Sequence, residues 1–204
     1  MNIEQLVKNM GGLANVFGGL FVAIAYSLHP HHQTPDVIAS QFWLGIHILF
    51  ALSLLFGTFG LIAVFQQHIK HSRLSGFIGF VLAVTSLIGI FGLNFYEAFI
   101  NPVLAHEAPE FVMQYGAGTR IGLVSYLFPL SGVLFLVGYS LLCIDILHAD
   151  TLNRRAVQFT LLGTLVFGIG LSGFFPMLIV QIGSVLFGSG LISLGVAIIK
   201  KQEA

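Results

Sequence analysis

FWLGIHILFALSLLFGTFGLIAVF, residues 42–65, holds one histidine and no aspartate, glutamate, lysine or arginine. A stretch this long and apolar exceeds the roughly 20 residues that an α-helix needs to cross the hydrocarbon of a bilayer. The apolar run extends over 41–66, and five comparable runs accompany it near 11–28, 75–100, 121–147, 156–175 and 177–199. Together they take up most of the 204 residues, of which 56% are hydrophobic and 8% charged, with a mean hydropathy of +0.95. Soluble domains carry about 25% charged residues. The composition therefore predicts an all-α, polytopic membrane bundle of six transmembrane helices, one transmembrane domain spanning residues 1–204, with the lipid bilayer as its surroundings.

Lysine and arginine set the expected orientation. In a six-span topology Lys8, Lys70, Arg73, Arg154, Arg155, Lys200 and Lys201 fall on one side and only Arg120 on the other. The positive-inside rule then places both termini and the turns 67–73 and 148–155 in the cytoplasm, in an inner (plasma) membrane. The stretch that ends in Ala23-Ile24-Ala25 after Lys8 also has the outline of a signal peptide cleaved near residue 25, although Glu4 in its leading segment counts against cleavage. Net charge is zero and no charge run stands out, which sets nucleic-acid partners aside. Cys143 is the single cysteine, so neither a disulfide framework nor a cysteine metal knuckle is available.

The chain divides into three hairpins, each with a helix running outward to a proline (Pro30, Pro102, Pro176) and a helix returning. The returning helices share a loose pattern: GTFGLIAVF from Gly57, GYSLLCIDI from Gly138 and GLISLGVAI from Gly190. Around Pro176 a single bent helix is the alternative to a reversal. Small residues four apart, such as Ala14 with Gly18, Gly19 with Ala23, Gly168 with Ser172 and Ser184 with Gly188, suit close backbone approach between helices. The 20 phenylalanines are expected against lipid or in packing, and Trp43, Tyr26 and Tyr96 in an outer aromatic belt.

Ionisable groups inside a span are costly and face the bundle interior. Asp145 lies near the cytoplasmic end of the fourth span, where an ion pair with Arg154 and Arg155 is the expectation. Asn94, Glu97 and Asn101, at i, i+3 and i+7, form a polar stripe at the outward end of the third. His47 is the one histidine inside a span, about 9 Å deeper than Gln41 by helical rise. Lacking a second imidazole at that depth, the chain offers no pair of axial ligands for a spanning haem. Outward connections add His29, His31 and His32, then His106, Glu107 and Glu110. Imidazole and carboxylate suit a divalent first-row metal, and His29, His47 and Glu97 make a three-ligand set with Asn94 and Asn101 orienting Glu97. Proton exchange between His47 and Glu97 is the alternative use of the same residues. H-E-x-x-H, G-x-S-x-G and a Gly-rich phosphate loop are all lacking, so no catalytic residue is assigned and the sequence leans away from an enzyme.

SLHP (27–30), FWLGIHILF (42–50) and NFYEAFINPVLA (94–105) resemble segments of a group of small bacterial six-helix integral membrane proteins of unknown function, in which a His-Pro, a helix-start histidine and a Glu-Ala-Phe segment recur. The resemblance covers mainly the first three helices. It implies a six-helix membrane protein and directs attention to His29, His47 and Glu97, but it implies no activity. The functional expectations are thus an outward polar or metal-binding pocket, a transporter or channel subunit for a small solute, a structural or assembly subunit of a membrane complex or homo-oligomer, and a metal hydrolase acting on lipid.

Overall fold

A computed structural model describes residues 2–115, 122–171 and 175–200. Arg120, Ser172, Phe174 and Lys201, each given an expectation above, lie outside the described residues. Among the described residues the ordered elements are all helical.

Helix α1, Ile3–Leu28, begins where the Asn2 side chain accepts from the Gln5 N–H at 2.8 Å, satisfying one of the free donors of its first turn. It ends at His29, whose backbone is extended (φ −63°, ψ 129°), as a residue before proline requires. A short α2, Pro35–Ile38, leads into α3, Gln41–His68, capped by the Ser40 hydroxyl on the Trp43 N–H. A 3₁₀ turn, Ile69–His71, reverses the chain into α4, Leu74–Phe95.

The third run then departs from a simple span. The chain continues past Phe95 through a π-helical turn, Tyr96–Ile100, into α5, Asn101–Glu107, and on to α6, Pro109–Tyr115. Pro102 accounts for the π turn: it has no N–H for the carbonyl four residues back and its ring crowds that carbonyl. The wider turn relieves the crowding, and the Asn101 N–H bonds the Tyr96 carbonyl five residues back. Pro102 therefore sits inside a continuing helix rather than at its end. Helix α7 is Val124–Ala149 and stops at Asp150 in the left-handed region (φ 52°). Helix α8 is Arg154–Gly170, and α9, Met177–Lys200, is a separate helix packed along it, so the chain reverses at Pro176 and does not simply bend.

Six long helices close a ring. Helix α1 packs on α3, α3 on α4, α4 on α7, α7 on α8, α8 on α9, and α9 on α1. Five of the ranges, Ile3–Leu28, Gln41–His71, Leu74–Glu107, Ser125–Ala149 and Met177–Lys200, are long and apolar enough to cross a membrane; α8, at 17 residues and opening on two arginines, is shorter. Their outer faces present Phe59, Phe77, Ile88, Val133, Phe159 and Leu178, the surface that hydrocarbon covers and water does not. The class defined by these features is a multi-pass helical membrane protein.

Glycine sets the closeness of the seams. Any Cβ at Gly19 or Gly188 would meet the other's carbonyl, and Gly12 and Gly195 stand in the same relation, so α1 and α9 touch backbone to backbone. Two glycines of the returning-helix pattern are also tight against their hairpin partners, Gly138 against Gly79 and Ala83 of α4 and Gly190 against Thr160 of α8; at Gly57 a Cβ would meet nothing, and it is Gly18 of α1 that must be small there. Buried Asn15 adds a polar tie, its Nδ2 donating to the Gly60 carbonyl across the α1–α3 seam at 2.9 Å. At mid-height the interior is aromatic. Tyr26, Phe50, Phe135, Tyr139, Phe167 and Phe187 form edge-to-face contacts that include centroid separations of 4.4 Å (Tyr26–Phe50), 4.8 Å (Tyr26–Phe167) and 5.1 Å (Phe135–Phe187).

Candidate functional site

Above this aromatic layer, at the end of the ring opposite the described lysines and arginines, lies a cavity of about 780 Å³. Every long helix or its adjoining turn supplies wall: Tyr26 and His29 follow from α1, Trp43, His47 and Phe50 from α3, Asn94 and Glu97 from α4 and the π turn, Phe128 from α7, Leu171 from the end of α8, and Met177 and Val180 from α9. The exposed His31, Gln33, Phe128 and Phe175 mark its rim.

One wall is tightly organised. The Trp43 and His47 rings stack at 4.3 Å, and the His29 ring meets both, at 5.4 Å from Trp43 and 5.6 Å from His47. His47 Nδ1 donates to the Trp43 carbonyl at 2.9 Å, one helical turn back, and His29 Nδ1 donates to the Pro30 carbonyl at 3.1 Å. Each imidazole thereby keeps its proton on Nδ1 and leaves Nε2 as an acceptor. Burial holds the His29 imidazole below its usual pKa, against the opposing pull of its bond to the Pro30 carbonyl.

The adjoining wall carries the carboxylate. Asn101, fully buried, donates from Nδ2 to Glu97 Oε2 at 2.7 Å, and the Glu97 main-chain carbonyl accepts from Trp43 Nε1 at 2.8 Å. Through the π turn Ala98 and Asn101 are buried, while Glu97 is half-buried at the cavity wall. Among the described residues no lysine or arginine lines the cavity, and no other group bonds the Glu97 carboxylate.

The expected site is thus assembled in part. His29, His47 and Glu97 line one cavity, and Asn101 donates to the Glu97 carboxylate. Asn94 does not: its Nδ2 donates to the His47 main-chain carbonyl at 2.9 Å, joining α4 to α3. Among the described residues no three His, Cys, Asp or Glu side chains are grouped so as to hold a metal ion. His32 and Glu110 are exposed, and exposed His106 pairs with Glu107 at 3.1 Å. The aromatic belt expectation also fails for Trp43, which is 1% exposed and packs with Ile38, Ala105 and Val112 in a small core made by α2, α5 and α6 over this end of the ring. Tyr26 and Tyr96 line the cavity as well.

A second polar cluster lies at the other end of the molecule. Asp145 does not reach for Arg154 or Arg155; its Oδ2 accepts from His68 Nε2 at 2.8 Å and from the Arg73 N–H at 3.0 Å. Ser72 and Ser75 hydroxyls donate to the same carboxylate at 3.3 Å, and His68 Nδ1 pairs with the Thr151 hydroxyl at 2.8 Å. The carboxylate caps the start of α4, where the helix dipole favours an anion, and Gly76 leaves the room it occupies. His68 is fully buried, so His47 is not the sole histidine within the bundle. The two lie near opposite ends of α3, one at the cavity and one in this clamp, and are not axial partners. Sequence periodicity missed the clamp because its partners stand 77 residues apart and His68 sits at a helix end that reads as a solvated turn.

No protein-family model matches this chain, and no curated protein or solved structure matches it.

Proposed function

We propose that this protein is a six-span membrane protein of the plasma membrane, with its basic end in the cytoplasm, that binds a small molecule in the cavity at its outward end. The observation that carries the reading is the cavity of about 780 Å³, enclosed by all six long helices or their adjoining turns and lined by a few convergent polar groups among aromatic walls. Pockets that take small molecules are of this size, about 300–1,000 Å³, and of this make-up. The sixth span is α8, whose arginines would sit at the cytoplasmic headgroups and whose 17 residues supply about 25 Å of helix. Enzymatic chemistry is not part of the reading.

Native mass spectrometry and thermal unfolding of the protein in mild detergent test it. A co-purifying or added small molecule that stabilises the wild type, and no longer does so when Met177→Trp fills the cavity, supports the reading. A wild type that carries no small molecule and is stabilised by none of a panel of amines, alcohols and acids sinks it. Elemental analysis of the same samples decides between an organic ligand and a divalent metal on His29, His47 and Glu97: near-stoichiometric metal lost in His47→Ala and Glu97→Gln would replace the organic ligand with a metal.

Transport is a second reading, favoured by two smaller voids beneath the cavity. One of about 30 Å³ shares Tyr26, Phe50, Ile90 and Leu171 with the cavity wall, and one of about 10 Å³ shares Tyr139 and Leu191 with the first. They lie in the bundle interior, with aromatic side chains between them and the cavity. Uptake of a cavity ligand into proteoliposomes, lost with Met177→Trp, would support transport; saturable binding without uptake would leave a binding protein.

A further inference from the structure

Resting on the reading of the cavity as a small-molecule site, we propose that its ligand is an organic ammonium ion with an apolar or aromatic body, the ammonium paired with the Glu97 carboxylate in the cavity that the His29 and His47 imidazoles also line. The charge pattern of the wall argues for a cation. Glu97 is the one carboxylate that lines the cavity among the described residues, no lysine or arginine answers it there, and its single protein partner is the neutral amide of Asn101. A half-buried carboxylate lining such a cavity with no counter-cation among the described residues is a costly arrangement unless a ligand supplies one.

The hydrogen-bond pattern argues for a donor. Both imidazole Nδ1 atoms are taken up by main-chain carbonyls, so what His29 and His47 present is Nε2, an acceptor. An ammonium carries donors and no acceptor, matching the ring nitrogens and a carboxylate; a carboxylic acid anion or a phosphate would meet like charge and, among the described residues, no cationic partner. The aromatic walls argue for the body. Trp43, Tyr26, Tyr96 and Phe50 line the cavity near these groups, with Phe128 and Phe175 at the rim, and their ring faces attract a cation while their bulk takes an apolar chain. Such an ammonium would arrive either dissolved in water or on an amphiphile in the bilayer.

Trp43 is the single tryptophan of the chain and lines the cavity, so intrinsic fluorescence reads occupancy directly. The experiment titrates full-length protein, in maltoside micelles free of ammonium headgroups, with 2-phenylethylammonium, 2-phenylethanol and 3-phenylpropionate. The expected result is saturable quenching by the ammonium with a Kd about 10-fold or more below that of the alcohol, and weaker binding still by the acid. Glu97→Gln should bring the ammonium to the level of the alcohol while leaving the alcohol unchanged. The wild-type comparison needs no variant and stands even where Glu97→Gln fails to fold. Equal binding of ammonium and alcohol, or preference for the acid, overturns the ligand class and leaves the cavity a small-molecule site; binding of none of the three overturns both. Repeating the titration with a lipid-length alkylammonium separates the two sources, tighter binding than the short probe indicating a bilayer amphiphile and weaker binding a dissolved amine.

Discussion

Replacing Asp145 by alanine is expected to destabilise the bundle by about 3 kcal/mol, with the loss arising at two donors. His68 Nε2, fully buried, loses its acceptor at 2.8 Å, and an orphaned buried donor costs about 1–3 kcal/mol. The Arg73 N–H at the start of α4 loses the cap at 3.0 Å, worth about 1 kcal/mol. The serine hydroxyls at 3.3 Å add little, because Ser75 is exposed and Ser72 half-exposed, so both rebond to water. Breaking a buried pair by removing one partner costs about 3–5 kcal/mol in general, which agrees. A solvated pair between Asp145 and the arginines that follow α7 would instead contribute less than about 1 kcal/mol. Equilibrium unfolding in mixed micelles of maltoside and dodecyl sulfate, followed by helical circular dichroism, distinguishes the two. Asp145→Asn keeps an acceptor and should lose less than alanine. Arg154→Ala with Arg155→Ala should lose almost nothing. An Asp145→Ala variant within 1 kcal/mol of wild type, or an equal loss from the arginine pair, would refute the clamp.

Burial lowers the His29 pKa, so its titration should destabilise the native state in acid: below the ordinary imidazole value of about 6.5 the unfolded chain takes up the proton first, and stability falls until the native group protonates too. The stability difference between wild type and His29→Gln should therefore stay constant above about pH 7 and change as the pH falls through about 6.5; a flat difference counts against a half-buried neutral imidazole. Two glycines separate packing from propensity. Gly138→Ala would press a Cβ onto the Ala83 backbone and should cost about 1–3 kcal/mol, whereas Gly132, with open space where a Cβ would lie, should tolerate alanine or gain about 0.5–1 kcal/mol; the reverse order in the same unfolding assay would contradict the α4–α7 seam. Trp43→Phe removes the 2.8 Å bond to the Glu97 carbonyl and should cost about 1–2 kcal/mol, with faster amide exchange confined to the turn around residues 96–101; unchanged exchange there would show that the π turn stands without it.

Local features of the chain were enough for much of this architecture. Apolar runs of 20 residues or so announce membrane helices because hydrocarbon demands that each segment satisfy its own backbone, a requirement met residue by residue along one strand of chain. Helical spacing puts Asn94, Glu97 and Asn101 on one stripe, and the expectation that ionisable groups avoid lipid adds His47 from its span, with His29 from the adjoining loop. Hydropathy cannot say, however, which face of an apolar helix turns inward, since lipid and bundle interior are equally apolar. Trp43 could therefore be read as a belt residue although α2, α5 and α6 cover it, and Asn94 as a partner of Glu97 although it reaches the His47 carbonyl. The π turn came from Pro102, but its effect on Glu97 depends on what α3 places opposite it. Asp145 met His68 rather than Arg154 because closing the ring brings the end of α3 and the start of α4 against α7, leaving the carboxylate in a buried gap beside Gly76. The cavity itself belongs to no single helix. It exists because α1 and α9 close tightly on glycine while the opposite end of the ring is held apart by aromatic side chains, a balance of distances that only the assembled bundle can set.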